Sequence, residues 1–189
     1  MKTTQIIFIG FIAIVAFAGC KGTKKLAKTT GAQEITVPFS ESKYKSDKDF
    51  FRAKQMGKSP DLATSKKIAL QNAKSELAGN IQATIKRVTD QYTNQRTVGT
   101  QQDFENKFEE LSREVVNQTL NDVKIVDEKT FKEQDGSYTY WLVIEVSKQP
   151  VLEGINNKIS KNEKLQLDYD KKKFEEIYNK EMEKMSNEQ

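Results

Sequence analysis

The chain has 189 residues, 36% hydrophobic and 31% charged, with a formal net charge of +4 from 31 basic and 27 acidic side chains. That length holds one domain and a tether around a modest core, and so even a mixture of signs excludes the one-signed basic face of a nucleic-acid binder. There is no histidine and one cysteine, which excludes Ser-His-Asp and Cys-His catalysis, histidine metal ligation and an internal disulfide framework.

Residues 1–19 read as an export signal. Lys2 supplies the positive end, and Ile6 to Ala18 is an unbroken apolar run, too short for the roughly 20 residues a membrane-spanning helix needs. Gly19 and Cys20 close it. Cys20 is either an incidental thiol left after the cut or a residue with a chemical use. The second is favoured, because an unpaired thiol is a liability in an oxidising compartment.

Phe17-Ala18-Gly19-Cys20 resembles the lipobox of bacterial lipoproteins, with Phe17 where that family more often has Leu. The resemblance implies cleavage between Gly19 and Cys20, a diacylglycerol thioether on the Cys20 sulfur, and acylation of the new amino group. Each buried methylene contributes about 0.8 kcal/mol, so two or three fatty chains anchor a protein stably where one does not.

Residues 20–33 read as a solvated tether of small, polar and basic side chains. Lys21, Lys24, Lys25 and Lys28 are candidates for contact with anionic lipid headgroups, each worth about 1 kcal/mol near a charged leaflet. A linker that is merely solvated explains them equally well.

An α+β domain is expected over residues 34–150. Ile35, Val37 and Phe39 alternate and suggest a short strand, which Pro38 confines to an edge or a crossing outside the sheet. A second strand is expected over Asp49 to Met56, closed by Gly57. The next element is a long helix with Ser59 as N-cap, Pro60 in its first position and Asp61 in its first turn. Leu62, Ala69, Ala73, Leu77, Ile81, Ile85, Val88 and Tyr92 form its apolar stripe, and the alanines allow close approach to a sheet. Thr97 to Thr100 break the chain before a second amphipathic helix over about residues 102–121, with Phe104, Phe108, Leu111, Val115 and Leu120 inward.

A hairpin follows, Asp122 to Glu133 and Ser137 to Ser147, around Asp135-Gly136. A two-residue loop would set Lys129 opposite Leu142 and Asp127 opposite Ile144, placing charges on the face of Tyr140, Leu142, Ile144 and Val146. Either a bulge shifts that register, or the first strand is an edge whose inward charges discourage further pairing. Trp141 and Val143 lie on the opposite face and mark a candidate interaction patch if left uncovered. Residues 151–189 hold an amphipathic C-terminal helix, with Leu167, Phe174, Ile177, Tyr178, Met182 and Met185 as its apolar residues. It can dock on that second sheet face, pair with another copy, or stand out to bind a partner. Docking is the default, since a lone charged helix is marginal in water.

The run ATSKKIALQNAKSELAGNIQATIKRVTDQY, with alanines at 63, 69, 73 and 78, followed by DGSYTYWLVIEVS, resembles the LPP-twenty family of envelope lipoproteins. More distantly it is similar to the N-terminal domain of the flagellar assembly protein T family. The likeness covers about residues 50–149. It implies a small antiparallel sheet packed by an Ala-rich helix and a second helix, and it brings no catalytic constellation with it.

Carboxylates are the remaining route to catalysis. Glu109-Glu110 and Glu175-Glu176 are adjacent pairs that diverge on a helix, and Asp168 with Asp170 lacks the glycine and closing Glu of a calcium loop. No Gly-rich phosphate loop occurs, so no metal or small-molecule cofactor is expected. Two functions follow: a non-catalytic envelope lipoprotein presenting its module to an envelope protein, to itself or to cell-wall polymer, or a carboxylate-dependent hydrolase of envelope glycans. Lys21 directly after the cysteine resembles lipoproteins of the outer membrane.

Overall fold

A computed structural model describes residues 34–95 and 101–187. The signal, the tether and the break at Thr97 to Thr100 lie outside the described residues. From Thr36 onward the chain forms one compact α+β unit. It contains a three-stranded antiparallel sheet in the order β1-β3-β2, with β1 at Phe50–Ser59, β2 at Lys124–Lys132 and β3 at Tyr138–Ser147. Among the described residues five α-helices accompany it: α1 (Leu62–Asn94), α2 (Gln101–Thr119), α3 (Lys148–Ile159), α4 (Glu163–Asp168) and α5 (Lys171–Asn187).

β3 takes the centre because both of its faces are apolar. Tyr140, Leu142, Ile144 and Val146 point to the inner face, opposite Gly57, Gln55, Ala53 and Phe51 of β1. The α1 stripe runs along this face, and Ala69, Ala73, Leu77, Ile81, Ile85, Val88 and Tyr92 are all buried as expected, whereas Leu62 is only half-buried. Gly57 does not end its strand. It permits the closest approach of helix to sheet, since a β-carbon there would fall 2.2 Å from the Ser65 carbonyl oxygen and 2.6 Å from the Ala69 nitrogen.

Several local expectations change. Ile35 to Phe39 is not a strand: Phe39 sits at φ 62°, turning the chain where Pro38 has no N–H to offer a neighbour. The α1 cap is Asp61 rather than Ser59. Its carboxylate accepts the Thr64 N–H at 2.7 Å, and Pro60 lies between strand and helix.

The hairpin loop has three residues, Gln134-Asp135-Gly136. Gly136 adopts φ 82°, its N–H donates to the Glu133 carbonyl, and the Glu133 N–H donates to Ser137. The extra residue shifts the register by one, so Lys129 faces Trp141, Glu128 faces Leu142 and Asp127 faces Val143. A bulge between Ile125 and Asp127 then sets Ile125 opposite Ile144. The register at Lys129 and Asp127 is thus shifted by the longer loop rather than by a bulge, and β2 is the charged edge strand that was the other expectation.

The C-terminal region departs most from expectation. It is three helices rather than one, and α3 runs straight across the boundary between residues 150 and 151. Pro150 is accommodated in the first turn, where no helical N–H is required, and Gly154 lies where a β-carbon would meet Val115 Cγ1 at 3.0 Å. Phe174, Ile177, Tyr178 and Met182 are buried in the main core, with Met185 at its margin, while Leu167 is 87% exposed. α5 packs along α1, joined by Arg87 and Gln91 donating to Glu181 at 2.7 and 3.1 Å. Tyr92, Phe104, Phe108, Tyr169 and Phe174 form an aromatic cluster beside it. The second sheet face is left to another cover.

Candidate functional site

That cover is the segment before β1. On the outer face, Val143 is fully buried beneath Phe39 and Tyr44, whose rings meet edge to face at 4.9 Å, and Trp141 packs half-buried at the margin. The expected interaction patch at Trp141 and Val143 is thus not an open surface. Strand alternation puts both side chains outward, but residues 36–46 return across the sheet and roof them.

Polar contacts hold the roof. The Tyr44 hydroxyl donates to Asp127 at 2.5 Å, and Lys54 Nζ donates to the Phe39 carbonyl at 3.0 Å. Lys129 Nζ lies 4.9 Å from the Phe39 ring centroid, and Lys43 Nζ 4.6 Å from that of Tyr44. At the base of the segment, Arg52 bridges Asp47 at 2.5 Å and Glu145 at 2.9 Å and donates to the Lys45 carbonyl. The Tyr44 hydroxyl and the Glu128 N–H hold the Asp127 carboxyl below its ordinary range, and that same bond raises Tyr44.

The apolar side chains exposed on the sheet are Ile125, Val126 and Phe131, all on the edge strand β2. Sequence reasoning passed over them because β2 reads as charged. Ile125 and Val126 lie at the bulge, which disturbs strand alternation there, whereas Phe131 lies in regular register opposite Thr139 near the loop end. Glu128 is clasped on the inner side by Tyr140 and lies 4.0 Å from Lys66, so tyrosine–carboxylate contacts grip β2 from both faces.

Two grooves open elsewhere. One of about 450 Å³ separates α1 from α2 over a floor that includes Ile85 and Phe108. Its carboxylates are tethered: Asp90 to Lys86 at 3.4 Å, Glu109 to Arg113 at 2.6 Å, and Glu105 to Thr93 at 3.3 Å. The Arg113 guanidinium draws the Glu109 carboxyl down, the opposite of what a general acid needs. The other groove, of about 370 Å³, lies between α2, α3 and the end of the sheet.

Glu110 is exposed beside Glu109. Glu175 accepts from Asn156 at 2.9 Å, and Glu176 lies 3.9 Å from Lys173. Asp168 and Asp170 meet at the Tyr92 hydroxyl, which donates to the Asp168 carbonyl and accepts the Asp170 N–H, and the Asp170 side chain accepts the Lys173 N–H at the start of α5. Among the described residues there is no cluster of three or more acidic, cysteine or histidine side chains that could hold a metal, and no helix is long and apolar enough to cross a membrane.

One buried group had no sequence signal. Lys148, the first residue of α3, is 2% exposed, and its amine has no hydrogen-bond partner. It sits 4.8 Å over the Phe51 ring, and burial pulls its pKa down to about 8. Comparison with protein-family models, characterised proteins and solved structures finds no match to this chain.

Proposed function

We propose that the protein is a non-catalytic bacterial envelope lipoprotein of the LPP-twenty type, anchored in the outer membrane through acyl chains on Cys20. Its α+β module would be presented to an envelope protein, a second copy or cell-wall polymer. The observation that carries this reading is Phe17-Ala18-Gly19-Cys20 at the end of an apolar run, holding the chain's single cysteine. Two structural facts support it. The compact unit begins only at Thr36, downstream of that cysteine. The groove carboxylates are engaged by basic side chains or hydroxyls, which favours the non-catalytic reading over a glycan hydrolase.

Mass analysis of the mature protein tests the anchor. The expected product starts at Cys20 and carries the mass of a diacylglyceryl group plus an amide-linked acyl chain, with labelled palmitate incorporated by the wild type and not by Cys20→Ser. A mature chain with a bare Cys20, or one starting beyond it, would overturn the proposal. Crosslinking in intact cells, with the same variant as control, tests the adaptor role. A reproducible protein partner, a crosslinked second copy or intact crosslinked cell-wall polymer supports it, whereas release of soluble glycan fragments from isolated cell wall by the purified protein speaks for the hydrolase.

A further inference from the structure

We infer that residues 36–46 form a displaceable strap, whose stretch from Thr36 to Tyr44 lifts as a unit from the outer face of the sheet and uncovers Val143 and Trp141 while the main core stays folded. The inference needs only the geometry of the compact unit and stands whether or not Cys20 carries lipid.

Four observations converge on it. The strap covers a small, separate apolar cluster with three buried members, Phe39, Tyr44 and Val143, and Trp141 at the edge. Opening it therefore exposes little apolar area beside what the main core retains. Its backbone is strained where it is most buried: Phe39 is the single non-glycine residue with positive φ among the described residues, a conformation that a bulky side chain adopts only at a cost. Lifting the strap relaxes that residue.

The strap also adds no strand to the sheet, although Ser46 Oγ at its end accepts the Arg52 N–H of β1. Its one regular element is a single 3-10 turn at Ser42–Tyr44, and it is held by side-chain clips, chiefly Tyr44 to Asp127 and Lys54 to the Phe39 carbonyl. Those groups have water as an alternative partner, so lifting the strap exchanges each bond for one to solvent and leaves no polar group unsatisfied. Finally, the hinge has anchors of its own. The Asp47 carboxylate accepts the Asp49 and Phe50 N–H groups and pairs with Arg52, while the last strap residues are tied to that hinge by Arg52, which donates to the Lys45 carbonyl and to Ser46 Oγ, so the lifting part is the stretch from Thr36 to Tyr44.

The surface uncovered is a specific one. Val143 and Trp141 lie between Lys54 of β1 and Lys129 of β2, both engaged with Phe39 in the closed form. Release frees the two amines beside an apolar stripe.

Trp141 is the single tryptophan of the chain and reports on the strap directly. Full-length protein in mild detergent would be titrated with urea, following acrylamide quenching of Trp141 and helical circular dichroism in the same samples. The expected result is two transitions, with Trp141 becoming accessible at lower urea than the loss of helix. Tyr44→Phe and Asp127→Asn should each move the first transition down and leave the second in place. Native-state hydrogen exchange on the wild type gives a readout without mutation. The Tyr44 and Lys45 amides, bonded within the strap turn, should exchange about a hundredfold or more faster than those of Leu142 and Ile144. Coincident transitions in wild type and both variants would overturn the inference. So would a separate Trp141 transition that neither variant moves, or equal protection of strap and β3 amides.

Discussion

On its inner face the sheet meets a 33-residue helix through Phe51, Ala53, Leu142 and Ile144, all buried, and Gly57 allows backbone to approach backbone. On its outer face the same strands meet a short irregular segment, with Val143 fully buried and Arg52, Lys54, Asp127 and Lys129 around it. The first contact is non-directional and nearly indifferent to pH. The second depends on directional bonds to ionisable groups, which water and acid both weaken. One sheet thus combines a permanent surface with a conditional one, and the two should respond differently to the same perturbation.

The largest effect is expected on the inner side. Gly57→Ala forces a β-carbon to within 2.2 Å of the Ser65 carbonyl, where neither helix nor strand backbone can yield cheaply. The loss should exceed about 3 kcal/mol, and thermal melts should show helix and tertiary signals failing together. Leu77→Ala, which empties a fully buried site in the middle of α1, should cost about 2–5 kcal/mol in urea denaturation. In both variants the Trp141 signal should fall with the core, since the outer face cannot outlast the sheet that carries it.

Lys148→Met should act in the opposite direction. The amine is charged at neutral pH, buried and without an acceptor, so an apolar side chain of similar shape should raise stability by roughly 1–3 kcal/mol at pH 7. The pH dependence has a definite sign. The folded pKa of about 8 lies below the ordinary 10.5, so between those values the unfolded chain holds a proton the folded chain has shed. Stability of the wild type should therefore rise from pH 8 toward pH 10, and the rise should flatten in Lys148→Met. Above pH 10 the trend reverses, because burial raises the Tyr178, Tyr169 and Tyr140 hydroxyls and their ionisation favours the unfolded chain.

The smallest effect belongs to the outer clips. The Asp127 carboxyl is held below its ordinary range, first by the Tyr44 hydroxyl, so its contribution is present above that range and disappears as pH falls through the folded value. Acid below about pH 4 should increase Trp141 quenching before it reduces helical signal, and Asp127→Asn should remove that acid sensitivity.

The long helix was legible in advance. Ala69, Ala73, Leu77, Ile81 and Ile85 recur at the spacing of one helical face, a pattern carried by near neighbours. Its cap was misplaced by two residues because Ser59 and Asp61 both offer an acceptor, and the choice depends on how far β1 extends to meet β3. The hairpin was legible as a hairpin but its register was not, since Asp135-Gly136 suits a two-residue and a three-residue loop alike. Phe39 was misread because three alternating residues cannot distinguish an edge strand from a strap. Lys148 left no trace, because lysine is ordinarily a surface residue.

Local chemistry therefore settled where the long helix, the second helix and the hairpin strands lie and which side of each would seek cover, though not the irregular path of residues 36–46 or the division of the C-terminal region into α3, α4 and α5. It could not settle what supplied the cover. The amphipathic face of α5 required burial, but that the burial would be against α1, with residues 36–46 roofing Val143 instead, follows from contacts between residues far apart in the chain. Periodicity is set by neighbours three or four positions away, whereas the pairing of faces depends on which arrangement buries every apolar stripe at once, and only the folded chain meets that condition.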